Sequence, residues 1–341
     1  MSEPVVQRET STNIKRSLVV RSVTFLRRWT CYFIWVLVLA GLAMRWTVSD
    51  RYHPWALVVY LTPIPAFKIW LALTWLIWPA RAIWTIRRLG LPLGRWMALA
   101  IVTSLAWSIW SQTVWRGESS DPRRTRIVFW NVARTPMGVE SVAERLKAFD
   151  APVIALVEAN PHHKADLAGW QSSLPGYTVA GNRYGGVIAV RGEVISQQYH
   201  RLKSRPSSWC ERFELRVGNE RFHLLLVDIS SQLSSSRAEP LAALAELVES
   251  LSDQPVIVVG DFNTPDDSVW FEPLRKNCRP AFREHGRGYA ATWPVPVPVL
   301  TLDQVWINSE VTVSRCEHGW SMVSDHRPVL TEFVTGRDRS Q

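Results

Sequence analysis

Residues 256–267 read VIVVGDFNTPDD. Four apolar residues in succession suit a strand buried on both faces. The run stops at Gly260. A carboxylate (Asp261), a ring (Phe262) and an amide (Asn263) follow at once, and Pro265 and two further acids come after them. Glycine permits a tight backbone, and the end of a buried strand holds a polar group in a fixed place. Asp266 and Asp267 are expected to be solvated loop acids.

Other runs end in the same way. From Arg126 onward, short apolar runs alternate with helical or loop segments, the pattern of a mixed α/β domain. They are RIVFW (126–130), VIALV (153–157), GVIAV (186–190), FELRV (213–217), FHLLLV (222–227), VIVV (256–259), LDQVWIN (302–308) and PVLTEF (328–333). Helices are predicted over 141–149 and 237–252; in the second, Leu241, Leu244, Leu247, Val248 and Leu251 share one face. RIVFW stops at Asn131, VIALV stops at Glu158, and Ser324, Asp325 and His326 precede the last run. Alone, each reads equally as a turn residue, a cap or a solvated acid. Together, at the ends of strands in one domain, they can converge on one cleft.

The first third has another character. Twelve of the 19 tryptophans lie between Trp29 and Trp115, where apolar stretches cover 30–44, 55–79 and 96–115. Tryptophan concentrates where apolar surroundings meet water, and a spanning helix needs about 20 mostly apolar residues. Pro63, Pro65 and Lys68 make the middle run kinked or re-entrant. A cleaved signal peptide fits the first run poorly, because the basic segment before it is long and apolar runs follow. Arg8, Lys15, Arg16, Arg21, Arg27 and Arg28 precede the first run, only Arg45 and Arg51 follow it, and Arg81, Arg87, Arg88 and Arg95 precede the third. By the positive-inside rule the N-terminus is inside, and three spans leave the rest of the chain outside. Arg116, Arg123, Arg124 and Arg126 oppose that orientation. If the middle run does not span, the domain faces the cytoplasm.

The net charge of +9 favours anionic partners without choosing among membrane, nucleic acid and phosphate ester. The four cysteines, Cys31, Cys210, Cys278 and Cys316, lack metal-clip spacing, so a zinc site is not expected. Cys31 reads as a membrane-buried thiol. The other three give one disulfide and one thiol, the favoured reading, or three thiols. The PVPVP run at 294–298 reads as an extended surface connection.

WN at 130–131, ALVEAN with Glu158, GDFN at 260–263, LDQVWI with Asp303 and SDH at 324–326 occur in that order over residues 124–335. The set resembles the endonuclease/exonuclease/phosphatase superfamily. The resemblance implies an α/β (α+β) domain of the DNase I-like kind, a four-layer β-sandwich with flanking helices, here preceded by an N-terminal helical transmembrane region. The expected layout is a basic segment (1–29), a membrane region of about three helices (30–115), a linker (116–125), the domain (126–335) and a disordered tail (336–341).

The resemblance also implies roles. Glu158 is the principal ligand of Mg²⁺ or Mn²⁺, with Asn131 close by and Asp325 a further ligand or neighbour. Asp261 orients or deprotonates the attacking water, Asn263 holds a phosphate oxygen, and His326 contacts the phosphoryl group with Asp303 fixing its ring. Hard cations want oxygen donors, which these residues supply. One departure is plain. Where the family carries a histidine before the GDFN strand, this chain reads LLLVDISSQLSSSR, with Ser230 at the histidine position and Asp228 two residues earlier. Ser230 can donate one neutral hydrogen bond to substrate. His162, His163, His200 and His223 are possible substitutes, His223 being the more structural by its place in a strand.

The function expected is a membrane-anchored, divalent-metal-dependent phosphoesterase. Its substrate is a nucleic acid, a phospholipid headgroup or a small phosphodiester; its other partner is the lipid bilayer, and no obligate protein partner is inferred. The expected location is a plasma or inner membrane, multi-pass, with the domain extracytoplasmic. The alternative is a catalytically degenerate domain acting as a membrane-tethered binding module. Trp170, Trp209, Trp270 and Trp293 offer stacking surfaces, although core or loop packing explains each.

Overall fold

The computed structural model describes residues 5–52, 55–63, 70, 74, 113–114, 124–160, 166–203 and 207–336. They form two compact units, one within Met1–Val48 and Val58–Ile109, the other within Ser49–Leu57 and Trp110–Gln341.

In the first unit the helix α1 runs over Val5–Thr47 without a break at the predicted boundary near residue 29, and a short helix, Ala56–Leu61, reaches into the same unit. Its segment Val19–Thr47 is long and apolar enough to cross a membrane. Phe25, Leu26, Phe33 and Val36 are more than three-fifths exposed on it, whereas a core helix of a soluble domain would bury such side chains. Most of the second apolar run and nearly all of the third, with His162, His163, residues 116–123 and the tail from 337, lie outside the described residues.

The second unit holds the strands β1 (Thr113–Val114), β2 (Thr125–Asn131), β3 (Val153–Val157), β4 (Thr178–Gly181), β5 (Val187–Val190), β6 (Glu193–Lys203) and β7 (Ser208–Val217). They continue as β8 (Glu220–Asp228), β9 (Val256–Asp261), β10 (Arg279–Pro280), β11 (Gly286–Tyr289), β12 (Asp303–Ile307), β13 (Val311–His318) and β14 (Val329–Thr335). One sheet has the order β1-β11-β13-β14-β2-β3-β5-β4, the other β10-β12-β9-β8-β7-β6. The helices predicted over 141–149 and 237–252 are found as Val139–Lys147 and Ala238–Glu249.

Apolar residues on both faces of the central strands explain the layering. Along β2, Ile127 and Phe129 face inward to meet Phe213, Leu224, Leu226, Ile257 and Val259 of the other sheet. Val128 and Trp130 face outward, against Val142 and Leu146 of the Val139–Lys147 helix. Along β9, Val258 faces outward against Leu241, Leu244 and Val248 of the Ala238–Glu249 helix. The result is helix, sheet, sheet, helix, the four-layer sandwich expected. Each large side chain so buried stabilises the fold by about 1.5–3 kcal/mol.

Both sheets centre on a parallel pair, β2 with β3 and β8 with β9. Gly260 is needed in the second, because a Cβ there would meet the Val227 carbonyl oxygen at 2.3 Å.

The favoured disulfide is absent: all four cysteines are free and buried. Cys316 belongs to the core between the sheets, whereas Cys210 and Cys278 pack under the Ala238–Glu249 helix. They serve as small apolar side chains, and burial raises the thiol pKa of Cys278 and of Cys316 to about 12.

Candidate active site

Asn131, at the end of β2, is 1 % exposed. Its Nδ2 donates to Asp261 Oδ2 at 2.9 Å and Glu158 Oε1 at 3.3 Å, and its Oδ1 accepts from the Ala133 N–H. Three predicted residues from three strand ends therefore meet through one amide. Ser324 Oγ donates to the Asn131 carbonyl and accepts from the His326 N–H, so the SDH loop is tied to the same strand end.

Glu158 and Asn263 each lie just beyond a strand and hold positive φ, 51° and 45°. Asparagine tolerates that region; glutamate rarely adopts it. Such backbone persists where surrounding structure enforces it, often at functional sites. Here the Glu158 carbonyl accepts from the Arg134 N–H at 2.8 Å, and the Asn263 N–H donates to Asp261 Oδ1 at 2.8 Å. Asn263 also donates from Nδ2 to the Ile229 carbonyl, which uses one of its two amide hydrogens and leaves the other for a ligand.

His326 Nδ1 lies 2.8 Å from Asp303 Oδ2, and its Nε2 lies 3.9 Å from Asp261 Oδ2. The second separation is too long for a hydrogen bond, yet one oxygen atom can contact both groups at about 2.8 Å. Burial works against charge on His326, but the carboxylates of Asp303, Asp261 and Asp325 outweigh it and raise its pKa to about 10. Burial and then the Asp303 charge raise Asp261 to about 6, against the pull of His326 and the hydrogen bonds from Asn263 and Asn131. The His326 carbonyl is held by the Trp130 indole N–H. The next residue, Arg327, donates to the carbonyls of His318, Gly319, Tyr289 and Ala291, which fixes the far side of the loop.

A polar cleft of about 310 Å³ opens beside this network, lined by Arg134, Glu158, Arg183, Asp228, Ser230 and Asn263 among others. Ser230 accepts from the Gln232 N–H at 3.2 Å, so its own hydroxyl hydrogen remains for a ligand. Neither described histidine substitutes for the one replaced by Ser230. His223 is paired with Val256 at the other end of the ladder and bonds Gln254, and His200 lies on the edge strand, two ladders from β8.

Asp325 is exposed, and its Oδ2 accepts from the Trp293 indole at 3.0 Å. It takes no part in the Glu158–Asn131–Asp261 chain. The PVPVP segment, expected as a plain surface connection, is held to the SDH loop through Val295 N–H to the Asp325 carbonyl. Asp266, expected to be solvated, is half-buried with its carbonyl held by Arg275 and Arg283; Asp267 is exposed. Of the four tryptophans, Trp170 and Trp209 are core residues, Trp293 holds Asp325, and Trp270 donates to the Asp50 carbonyl.

Sequence reading did not anticipate Arg134 or Arg183. Arg134 pairs with Glu158 Oε2 at 3.3 Å, and the one available signal is its closeness to Asn131 in the chain. Asp228, which the sequence places two residues before Ser230 with no role, stands in register beside Asp261. Burial and then the charges of Asp261 and Glu158 raise its carboxyl well above the usual range.

Two oxygen-rich groupings could hold a divalent cation. Asp261, Asp303 and His326 have donor atoms within 4.8 Å of one another, but His326 is already bonded to Asp303 and held cationic, which repels a metal. Glu158 offers hard carboxylate oxygens that suit Mg²⁺ or Mn²⁺; Asn131 turns its NH₂ to Glu158 and Asp261 and its oxygen to the Ala133 N–H, so its oxygen would join the ion only with the amide turned over. Glu158 Oε2 already faces a cation, the guanidinium of Arg134, whose side chain is 57 % exposed and so free to move aside. The Glu158 side fits the ion better.

A sequence model of the Endonuclease/Exonuclease/phosphatase family matches residues 128–326. Comparison with curated protein sequences gives no match. Among solved structures, the chain is similar to an endonuclease/exonuclease/phosphatase family protein from Bacteroides thetaiotaomicron, at 17 % identity and TM-score 0.52, over 63 % of this chain and 99 % of that one. It is similar to a mannosyl-6-phosphatase of the same organism, at 15 % identity and TM-score 0.53, over 62 % of this chain and 99 % of that one. D. rerio TDP2 complexed with a single-strand DNA product matches at 15 % identity and TM-score 0.51, over 62 % of this chain and 100 % of that one. At these identities the likeness to solved structures concerns the fold.

Proposed function

The chain belongs to the endonuclease/exonuclease/phosphatase family, and on that premise we propose that it is a membrane-anchored phosphoesterase that uses a divalent cation and an activated water. The phosphoesterase chemistry follows from the family; the cation, the anchor and the residue roles are the reading offered here. Its main support is the hydrogen-bonded run from Glu158 through Asn131 to Asp261, facing His326 and Asp303 at one edge of both sheets.

In this reading Asp261 accepts a proton from the attacking water, for which a carboxyl raised to about 6 is suited. His326 stays cationic and donates from Nε2 to a phosphoryl oxygen, and Asp303 keeps the ring oriented with Nδ1–H directed away from substrate. Asn263 and Ser230 supply neutral donors from the cleft wall. Glu158 and Asn131, with Asp325 at the rim, hold Mg²⁺ or Mn²⁺. When bound, the ion draws charge from the phosphoryl oxygens. The apolar segment Val19–Thr47 fastens the chain to a bilayer.

The proposed layout is a basic segment (1–29), a membrane region (30–115), a linker (116–125), the domain (126–335) and a tail (336–341), with residues 49–52 and the strand Thr113–Val114 joined to the unit that holds the domain. Multi-pass insertion in a plasma or inner membrane with the domain extracytoplasmic completes the proposal.

Two structurally similar proteins frame the substrate question, a mannosyl-6-phosphatase and a protein bound to a DNA product. A second reading, a membrane-tethered binding module, draws on Ser230, since a serine donor is weaker than the charged imidazole it replaces. One panel tests both readings: the purified full chain with Mg²⁺ or Mn²⁺ on single-stranded DNA, phospholipid vesicles, sugar phosphates and bis-p-nitrophenyl phosphate. Turnover of at least one class that EDTA abolishes supports the enzyme; binding without turnover supports the module.

A further inference from the structure

Residues 49–52 leave the apolar helix, yet they belong to the compact unit that carries the candidate catalytic groups. Ser49 has φ 52°, the left-handed backbone that commonly ends helices and redirects the chain. Asp50 follows and is 1 % exposed. Its Oδ2 accepts from Ser268 Oγ at 2.5 Å, its Oδ1 from the Val269 N–H at 3.2 Å, and its carbonyl from the Trp270 indole at 3.1 Å. Ser268 caps the short 3-10 turn Val269–Phe271, so the Asp50 carboxylate reinforces an N-cap from a distant part of the chain. That turn closes the loop that begins at Asp261 and Asn263. A buried carboxylate that accepts from Ser268, Val269 and its neighbour Ser49, with an indole on its own carbonyl, is an integrated contact rather than a surface touch.

We infer that residues 49–52 are a built-in strap of the catalytic unit, and that this unit lies on the membrane face where the C-terminal end of α1 emerges. The inference rests on the membrane-anchored reading above. It follows from connectivity: a segment packed into a domain cannot be across the bilayer from it. Residues 49–52 and the strand Thr113–Val114, which pairs with β11, belong to the same unit, so the chain between them returns to the face it left and crosses the bilayer an even number of times. A single crossing, which would send the domain to the other side, is excluded. The basic residues ahead of the apolar segment of α1 keep its N-terminal end inside, so the strap and the catalytic unit are outside. Arg124 and Arg126 then lie outside against the usual bias, and the buried strap overrides them. Substrate on this account is a phosphate ester presented outside the cytoplasm, at the outer leaflet or in the adjoining space.

The test uses the full chain in membranes of the cells that express it. Tyr52 and Met137 are 60 % and 61 % exposed, and all four native thiols are buried, so Tyr52→Cys and Met137→Cys can be labelled separately over a low background. A membrane-impermeant maleimide on intact cells is expected to label both variants at least about tenfold above the parent chain. Labelling of one from outside and the other only after lysis overturns the strap. Labelling of both only after lysis keeps the strap and overturns the outward assignment.

A second measurement separates this inference from its premise. Asp50→Ala and Ser268→Ala are each expected to lower the melting temperature by several degrees, and the double variant to lower it no further than the larger single change. Additive shifts overturn the contact. A chain recovered in the soluble fraction while the coupling holds overturns the anchored reading and the sidedness, and leaves the strap standing.

Discussion

The two parallel pairs at the centres of the two sheets end at the same site but carry different chemistry. The pair β2 and β3 delivers an amide and an acid, Asn131 and Glu158, with the Arg134 guanidinium against the acid. The pair β8 and β9 delivers two acids in register, Asp228 and Asp261, and β12 adds Asp303 in register on the other side of Asp261. Three carboxylates thus stand abreast on neighbouring strands about 4.8 Å apart. Burial first, and then like charges so close, disfavour ionisation of Asp228 and Asp261 and raise both, and the carboxylate charges, that of Asp303 foremost, hold the proton on His326 against burial. One strand-end device thus presents a part-exposed acid paired with a guanidinium in one sheet and a buried row of carboxylates in the other.

The largest expected effects test that division of labour. Glu158→Gln and Asp261→Asn are each expected to lower turnover by about 10³ or more. They should differ under a Mg²⁺ titration: Glu158→Gln raises the half-saturating concentration at least about tenfold, and Asp261→Asn leaves it in place. If both variants shift the metal requirement equally, the two ends do not have separate roles.

Asp303→Asn comes next. It leaves His326 in place but removes the charge that fixes its ring. The expected loss in kcat is about 10²–10³, with the alkaline limb of the pH–rate profile moving to lower pH. An unchanged alkaline limb would mean that His326 does not act as a cation.

The pH profile itself is a smaller effect. Asp261 must be ionised to accept a proton, so activity falls as pH drops through about 6. His326 must keep its proton, so activity falls as pH rises through about 10. Asp228→Asn removes a member of the row that burial and the charges of Asp261 and Glu158 already bias towards its neutral form; kcat should stay within about threefold and the acid limb near 6 should hold its place. A limb that moves to lower pH would mean that Asp228 is charged where Asp261 titrates.

The smallest effect lies away from the row. His318 is buried against Phe282, and burial followed by the Arg327 charge lowers its pKa to about 3. Below its ordinary 6.5 the unfolded chain binds a proton that the folded chain refuses. Stability is then lost as pH falls from 6.5 towards 3, by at most about 1.4 kcal/mol per pH unit. His318→Phe should flatten that slope in urea melts at pH 4 and 7. An equal slope would assign acid sensitivity elsewhere.

The central strands were legible because their sequences are apolar on both faces: VIALV gives β3 at its own boundaries, and VIVV gives β9 up to its functional end. The edge strand β6, EVISQQYHRLK, was not legible. Only Leu202 on it is buried, Val194 and Tyr199 pack on the core singly, and there is no apolar run to announce it. β13, VTVSRCEH, was hidden because charges interrupt its alternation. In the site, residues at strand ends were readable from position, as with Asn131, Glu158 and Asp261. Arg183, Trp293 and the Asp50 strap were not, since they arrive from loops whose partners are distant in the chain. The disulfide expectation failed because cysteine count carries no geometry, and each thiol fills a different part of the core.

The most direct test of the central claim is hydrolysis of bis-p-nitrophenyl phosphate by the purified full chain, with Mg²⁺ or with EDTA, against Glu158→Ala. The account predicts turnover that requires the ion and falls by about 10³ or more in the variant. Equal turnover by parent and variant, or turnover that EDTA leaves untouched, would contradict it.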